Sequence, residues 1–215
     1  MQSLRQFLQN LCSHKIPAPD LVGYEVLLDF IEERSLHRLE GDLIEIGTFM
    51  GGGTVKLARY ARRHGKRVFA VDIFNPTVDS TTTTDGTTMR DIYLAFLEGR
   101  SQIEVYEQAI GGLDNVVTIS QDSKKVSFLP EQRFIFGFID GNHQPDYVRN
   151  DFGIIWQNLV DCGVLGFHDY NTELPEVTNC INEIIVEHAE EIVKTQEIIP
   201  QHIILLVKGK KTNTA

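Results

Sequence analysis

The sequence predicts an α/β fold with a mostly parallel β-sheet and helices on both of its faces. Short apolar segments alternate along the chain with segments of helical periodicity, which indicates repeated β/α units. The first of these segments, residues 42–46, is apolar at consecutive positions, as expected for a strand that is covered on both faces. After five such units, two apolar segments follow each other without a helix and predict an antiparallel closing pair.

The chain length of 215 residues, 42% of them hydrophobic, favours a single domain over residues 1–215. We divide it into an N-terminal helical cover (1–38), a core (41–170) and a closing helix with the strand pair (171–215). The net charge of −10 argues against a nucleic-acid partner, which would need a clustered basic face. Three scattered cysteines without a Cys-x-x-Cys pattern suit a reducing, cytoplasmic setting. No signal peptide is apparent and no apolar run is long enough to span a bilayer, so we expect no membrane partner.

Two helices are predicted ahead of the first strand. The first covers residues 3–12, where apolar residues recur at helical spacing, and the proline-containing segment 16–19 ends it. Asp20 is placed to cap the second helix. We expect the two helices to cover the sheet or to form a contact between copies of the chain. A lid over a substrate is the alternative, and the sequence leaves homo-oligomerisation open.

The segment 42–54 reads as a strand, a glycine turn and the start of a helix. Gly47 ends the strand, and the glycines at 51–53 allow a close approach of backbone and ligand. The spacing matches neither the dinucleotide fingerprint nor a P-loop. Glu45 lies inside the apolar strand, where a carboxylate is costly without a partner. A cationic or amide-rich ligand, or the backbone of a tight turn, would supply that partner.

The remaining elements follow in alternation. The predicted strands are 67–74, 116–120, 134–140, 164–167, 191–197 and 202–208. The predicted helices are 55–60, 89–97, 103–110, 145–159 and 175–188. A polar loop at 75–90 contains four consecutive threonines, 81–84, and is interpreted as either a linker or a lid.

Polar residues gather where the predicted strands end. Asp72 ends the second strand, about 20 residues after the glycine turn, where nucleotide-binding folds place an acidic residue on a ribose; a loop cap is the alternative. Asp140 and His143 follow the fourth strand, and His168 and Asp169 follow the fifth. Each histidine alone could bond a loop carbonyl, but as a group these residues indicate a chemical role.

Three segments of the sequence resemble a known family. The acidic strand followed by glycines is similar to motif I of the class I S-adenosylmethionine-dependent methyltransferases. The runs at 41–53, 138–143 and 163–170 resemble the subgroup of macrocin-type sugar O-methyltransferases and cephalosporin-hydroxylase-like proteins. The resemblance covers residues 41–170 and implies a Rossmann-like sandwich with a seven-stranded sheet in the order 3-2-1-4-5-7-6. It also implies S-adenosylmethionine as cofactor, held by Glu45, Gly47, Thr48, Gly51, Gly52, Gly53, Asp72, Asp122 and Ser123.

For Asp122 and Ser123, the family places a polar pair against the adenine, and a helix N-cap is the alternative. The resemblance also implies catalytic roles for Asp140 and His143, and His168 on the same rim is a third candidate catalytic residue. It puts Asp140 and Asp169 on Mg²⁺ and makes His143 the base for the acceptor hydroxyl. The subgroup has two consecutive acidic residues after the fifth strand, whereas this chain has His168 at the first of them. A histidine there would suit Mn²⁺, Fe²⁺ or Zn²⁺, or a metal-free enzyme in which His168 is base or orienter.

The expected function is therefore S-adenosylmethionine-dependent O-methylation of a hydroxyl on a small molecule, a sugar or natural product. Two alternatives stay open at this point. An NAD-dependent oxidoreductase would share the fold, but the glycine fingerprint is missing. A non-catalytic S-adenosylmethionine-binding protein would keep the cofactor turn without needing Asp140 and His143.

Overall fold

A computed structural model describes residues 18–210 as one seven-stranded sheet flanked by helices. The strands are β1 (Asp42–Ile46), β2 (Val68–Asp72), β3 (Val116–Ser120), β4 (Phe134–Ile139), β5 (Leu159–Phe167), β6 (Ile192–Ile198) and β7 (Ile203–Lys208). The α-helices are α1 (Glu25–Glu33), α2 (Gly52–Arg63), α3 (Met89–Leu97), α4 (Gln102–Ile110), α5 (Pro145–Asn158) and α6 (Pro175–Glu187). Within this range, no helix has the length and apolar character needed to cross a membrane.

The sheet has the order β3-β2-β1-β4-β5-β7-β6, which confirms the predicted order. The first five strands are parallel, and β7 pairs antiparallel with both β5 and β6. The carboxyl ends of β1, β2, β4 and β5 therefore lie along one edge of the sheet, and the loops that follow them share one crevice.

The parallel strands are buried on both faces, as their sequences predict. All six residues of β4 are buried. Adjacent residues of β1 face opposite layers: Leu43 packs with α1 and α2, whereas Ile44 packs with α5 and α6. This alternation is what a two-sided parallel sheet requires.

Several predicted boundaries differ from the structure: helix α2 spans Gly52–Arg63 rather than 55–60, and strand β2 ends at Asp72 rather than at residue 74. Strand β5 begins at Leu159 rather than at residue 164, because Leu159 already pairs with Phe134 before a register shift near Cys162, whose φ is 65°. Asp20 does not cap α1 directly. Its carboxylate accepts hydrogen bonds from the amides of Val22, Gly23 and Tyr24, which closes a turn ahead of the helix. The helix predicted at 3–12 lies outside the described residues.

Residues 18–24 pack closely on the start of α2. A Cβ atom at Gly52 would lie 2.1 Å from the carbonyl oxygen of Pro19, and one at Gly53 would lie 2.3 Å from the ring of Tyr24. Lys56 on α2 adds an ion pair to Asp20 at 2.6 Å. The absence of side chains at Gly52 and Gly53 thus lets the chain's own N-terminal segment approach the helix.

Glu45 is buried in β1 with 1% exposure. Its carboxylate oxygens accept hydrogen bonds from the hydroxyls of Tyr24 and Thr54, each at 2.5 Å. The partner of this carboxylate is therefore a pair of side chains, which neither sequence interpretation named. Burial raises the pKa of Glu45 to about 8, although both hydrogen bonds act in the opposite direction.

The raised pKa predicts a pH-dependent stability. Between the ordinary value of 4.5 and about 8, folded Glu45 keeps a proton that the unfolded chain releases. Unfolding free energy should therefore fall as pH rises through this window, by up to about 1.4 kcal/mol per pH unit. Glu45→Gln mimics the protonated carboxyl and should remove the part of that slope due to Glu45, leaving the part that His143 and His168 contribute above pH 6.5, as measured by denaturant unfolding from pH 5 to 8.5. Glu33→Gln, at an exposed site of α1, is the control. Equal slopes in Glu45→Gln and the unmodified chain would contradict the assignment.

Candidate active site

A cavity opens at the carboxyl edge of the sheet, where β1, β2, β4 and β5 end. Residues predicted for cofactor and chemistry line it together: Gly47, Asp72, Asp122, Ser123, Asp140, His143, His168 and Asp169. Its apolar wall comes from the segment between β2 and α3 and from α3 itself, with Ile73, Val78, Met89, Ile92, Tyr93 and Phe96. Predicted cofactor residues that do not line it are Glu45, Thr48, Gly51, Gly52 and Gly53, and their role toward a cofactor stays a prediction.

Gly47 brings the turn after β1 against the end of β4. Its φ is 88°, and a Cβ atom there would lie 2.0 Å from the carbonyl oxygen of Asp140. A side chain at this position would collide with backbone, so only glycine allows the two strand ends to close together. The turn after β1 and the acidic end of β4 therefore form one wall of the cavity.

Asp72 holds the same turn in place. Its Oδ2 accepts hydrogen bonds from the amides of Thr48 and Phe49, both at 2.9 Å. Its Oδ1 accepts from the amide of Phe74 at 2.6 Å and from Nε2 of Gln102 at 3.2 Å. Burial raises the pKa of Asp72, against the effect of these hydrogen bonds. The carboxylate thus organises the loop, and its contact with a ribose stays a prediction.

Asp122 and Ser123 follow β3, the strand that pairs with β2. The carboxylate of Asp122 accepts from the amide of Lys124 at 3.0 Å, which makes it the N-cap of a short 3-10 helix, Ser123–Lys125. The N-cap alternative is therefore confirmed. Because both residues also line the cavity, the adenine contact stays a separate prediction.

Five residues form a continuous chain of carboxylates and imidazoles on the cavity floor. Nδ1 of His143 lies 2.7 Å from Oδ2 of Asp79, and its Nε2 lies 2.7 Å from Oδ2 of Asp169. Nδ1 of His168 lies 3.0 Å from Oδ1 of Asp140 and 3.1 Å from Oδ2 of Asp169. The sequence placed Asp140, His143, His168 and Asp169 on one rim, and the structure joins them into this network.

The carboxylates govern the charge of both imidazoles. Burial opposes a charged His143, but the hydrogen bonds to Asp169 and Asp79 outweigh it and raise its pKa to about 10. Asp140 and Asp169 likewise hold the pKa of His168 well above 6.5, despite its burial. The pKa of Asp169 is lowered, chiefly by the charge of His168, against the effect of burial. The carboxylates around both histidines therefore favour their imidazolium forms.

Asp79 is the site residue that the sequence analysis did not identify. It is 3% exposed, and its second oxygen accepts from the amide of Thr81 at 2.9 Å. It belongs to the threonine loop, which is fixed rather than free: Thr82 forms a β-bridge with Thr88, and the amide of Thr84 donates to the carbonyl of Glu173. The sequence feature that could have indicated Asp79 is its position as an acidic residue in the loop after Asp72, which lies at the carboxyl edge of the sheet.

The same cluster offers ligands for a metal ion. One ligand atom each from Asp140, His143 and Asp169 lies within 4.8 Å of the others. Asp140 and Asp169 match the predicted metal ligands. Nδ1 of His168, however, contacts both carboxylates, so an ion bridging them would have to displace this contact.

Among solved structures, the chain is similar to several methyltransferases at low sequence identity. The O-methyltransferase NovP is 16% identical, with a TM-score of 0.65 over 86% of this chain and 79% of that chain. The calicheamicin methyltransferase CalS11 is 14% identical, with a TM-score of 0.61 over 96% and 94%. The methyltransferase MycE, in a complex with Mg and SAH, is 13% identical, with a TM-score of 0.53 over 92% and 57%. At these identities the similarities show a common fold.

No protein of curated function matches the chain by sequence. A family model described as a methyltransferase domain matches residues 44–170, which is more than half of the chain and nearly the extent of the resemblance noted in the sequence. The match runs from β1 to the residues after β5, so it includes the glycine turn and all five residues on the cavity floor. The chain belongs to this family of S-adenosylmethionine-dependent methyltransferases.

Proposed function

We propose that the chain transfers a methyl group from S-adenosylmethionine to a hydroxyl group of a small molecule, with a sugar as the favoured acceptor class. The observation that carries this proposal is the chain of carboxylates and imidazoles on the floor of the cavity, beside the turn of Gly47. Removing a hydroxyl proton requires a basic group within the site. The sugar class is supported by a structural neighbour, CalS11, which is described as a TDP-rhamnose 3'-O-methyltransferase.

The charge and the apolar lining of the cavity suit the proposed cofactor. Bound S-adenosylmethionine supplies an electrophilic methyl group on a positively charged sulfonium. Three carboxylates on the floor, Asp79, Asp140 and Asp169, face two imidazoles, which leaves an excess of negative charge even when both imidazoles are charged. Ile73 follows Asp72, is 39% exposed and offers an apolar surface for a nucleobase. Gly47 leaves backbone accessible at the same wall.

His143 is the proposed proton acceptor, and Asp79 its positioning residue. The Nδ1 atom is fixed by a buried carboxylate, so Nε2 is the nitrogen that exchanges partners. In the proposed reaction the acceptor hydroxyl takes the place of Asp169 at Nε2. His143 must first release its Nε2 proton to solvent, and positive charge brought into the cavity favours this by opposing the imidazolium. Neutral Nε2 then takes the hydroxyl proton as the hydroxyl oxygen bonds to the methyl group, and the S–CH₃ bond breaks to leave S-adenosylhomocysteine.

His168 is proposed to act as the positive group between Asp140 and Asp169. Its Nδ1 already reaches both carboxylates, which is the contact that a divalent cation would otherwise make. A divalent cation, where bound, would be held by Asp140 and Asp169 and would favour ionisation of a hydroxyl. The single positive charge of the imidazolium offsets part of the negative charge of this pair without an ion.

The function is tested in two steps on the full chain. Calorimetry with S-adenosylhomocysteine should show saturable binding at one site. Mass spectrometry should then show methyl transfer from labelled S-adenosylmethionine to members of a panel of nucleotide sugars, free sugars and phenols. No binding at millimolar concentration would refute the cofactor. Binding without transfer to any acceptor in a wide panel would favour a non-catalytic binding protein.

Asp79→Asn should slow turnover and leave cofactor binding intact. His143→Ala should lose roughly 10²–10⁴-fold in kcat, the usual contribution of a general base. Asp79→Asn keeps the base and loses only its carboxylate partner, so its loss in kcat should be smaller. Asp85→Asn, an exposed residue of the same loop, is the matched control. Steady-state kinetics measures kcat, and calorimetry with S-adenosylhomocysteine measures cofactor affinity. Equal kcat in Asp79→Asn and Asp85→Asn would show that Asp79 takes no part in the reaction.

His168→Glu should make the enzyme dependent on a divalent cation. The substitution puts a third carboxylate beside Asp140 and Asp169, and carboxylates crowded together need a cation. Turnover of the unmodified chain should withstand EDTA, whereas turnover of His168→Glu should be lost with EDTA and restored by Mg²⁺ in a saturable way. Loss of the unmodified chain's turnover with EDTA, reversed by Mg²⁺ or Mn²⁺, would show that His168 does not replace the ion.

A further inference from the structure

We propose that Glu32, His37 and His64 form a zinc site on the outer face of the helical cover, separate from the methyl-transfer cavity. The three side chains come from different elements: the end of α1, the 3-10 helix Leu36–Arg38 and the C-cap of α2. The proposal concerns a second site and does not depend on the proposed reaction.

The distances between the donor atoms suit a small tetrahedral ion. Nδ1 of His37 lies 3.3 Å, and Nε2 of His64 lies 3.9 Å, from Oε2 of Glu32. All three donor atoms lie within 4.8 Å of one another. Zinc bonds of about 2.0–2.2 Å place neighbouring tetrahedral ligands about 3.3–3.6 Å apart. The distance from Nε2 of His64 to Oε2 of Glu32 must shorten by a few tenths of an ångström. The stacked rings of His37 and His64 must also turn so that one nitrogen of each faces the ion.

The donor chemistry favours zinc over magnesium. Two imidazole nitrogens with one carboxylate form a common zinc ligand set, whereas Mg²⁺ takes oxygen ligands. The imidazole rings of His37 and His64 are stacked at 4.4 Å, so two positive charges would repel at this spacing. Burial and the proximity of His37 lower the pKa of His64, which favours the neutral form that binds metals.

The surroundings of the cluster supply orientation and access. The buried hydroxyl of Tyr60 donates a hydrogen bond of 2.7 Å to Oε2 of Glu32 and thereby fixes the carboxylate. The side chains of Glu32, His37 and His64 are 58%, 17% and 24% exposed, which leaves an open approach for the ion and a free position for water.

The cluster lies far from the cavity. Helix α2 starts beside the glycine turn and has 12 residues, so its C-cap lies about 18 Å farther along the helix axis. An ion at this end would join α1 to α2. Because Leu21 and Val22, just ahead of α1, line the cavity, the ion would stabilise the segment that covers the site without taking part in its chemistry.

The experiment is Zn²⁺ titration of the full chain by calorimetry, with melting temperature as a second readout. A background carrying Asp140→Asn, His143→Gln and Asp169→Asn removes the three candidate metal ligands in the cavity. We expect one saturable equivalent of Zn²⁺ in this background, a raised melting temperature, and no saturable binding of Mg²⁺. Adding His37→Gln and His64→Gln should weaken the Zn²⁺ affinity at least tenfold. Adding His202→Asn, at an exposed histidine outside the cluster, should not change it.

Glu32→Gln provides an independent variant, because Glu32 is largely exposed and its replacement keeps both rings and the hydrogen bond from Tyr60. It should weaken Zn²⁺ binding and cancel most of the rise in melting temperature. Unchanged affinity in the double histidine variant or in Glu32→Gln would refute the site. Absence of saturable binding in the cavity-deficient background would refute it as well.

Discussion

The close contact between the ends of β1 and β4 is the constraint on which the site depends. Gly47 and the carbonyl of Asp140 approach so closely that a Cβ atom would lie 2.0 Å from that oxygen. This contact unites two features that come from distant parts of the chain, the turn organised by Asp72 and the acidic floor at Asp140. A larger residue at position 47 would separate the proposed cofactor wall from the proposed reaction centre. The parallel pairing of β1 with β4 provides the contact, and glycine makes it sterically allowed.

Charge balance on the cavity floor explains how so many ionisable groups share a small buried space. Three carboxylates would repel one another strongly if they stood alone. His143 and His168 each lie between two of them, so every buried charge has an opposite neighbour. The remaining negative charge matches a cationic cofactor. The two imidazoles offset part of the charge of the three carboxylates.

The sequence predicted the fold closely because its signals are local. Apolar runs, glycine turns and helical periodicity located all seven strands, and the family resemblance supplied their order. The positions of the strand ends in the sequence also placed Asp140, His143, His168 and Asp169 on one rim, because the carboxyl ends of parallel strands meet at one edge of the sheet. Asp79 carried no such signal, since its contact with His143 spans 64 positions and depends on how the threonine loop folds back. Glu45 shows the same limit: its partner Tyr24 comes from a segment whose packing on α2 no local pattern encodes.

The position of Asp79 ties two properties that could otherwise change independently. Its loop forms part of the wall that an acceptor would touch, with Val78 beside it, and the same loop provides the carboxylate that orients His143. Divergence toward new acceptors would ordinarily proceed through insertions and substitutions in such a loop. In the proposed reaction the loop could vary only around Asp79, so the residue that orients the proposed base would limit which acceptors descendants of this chain could take.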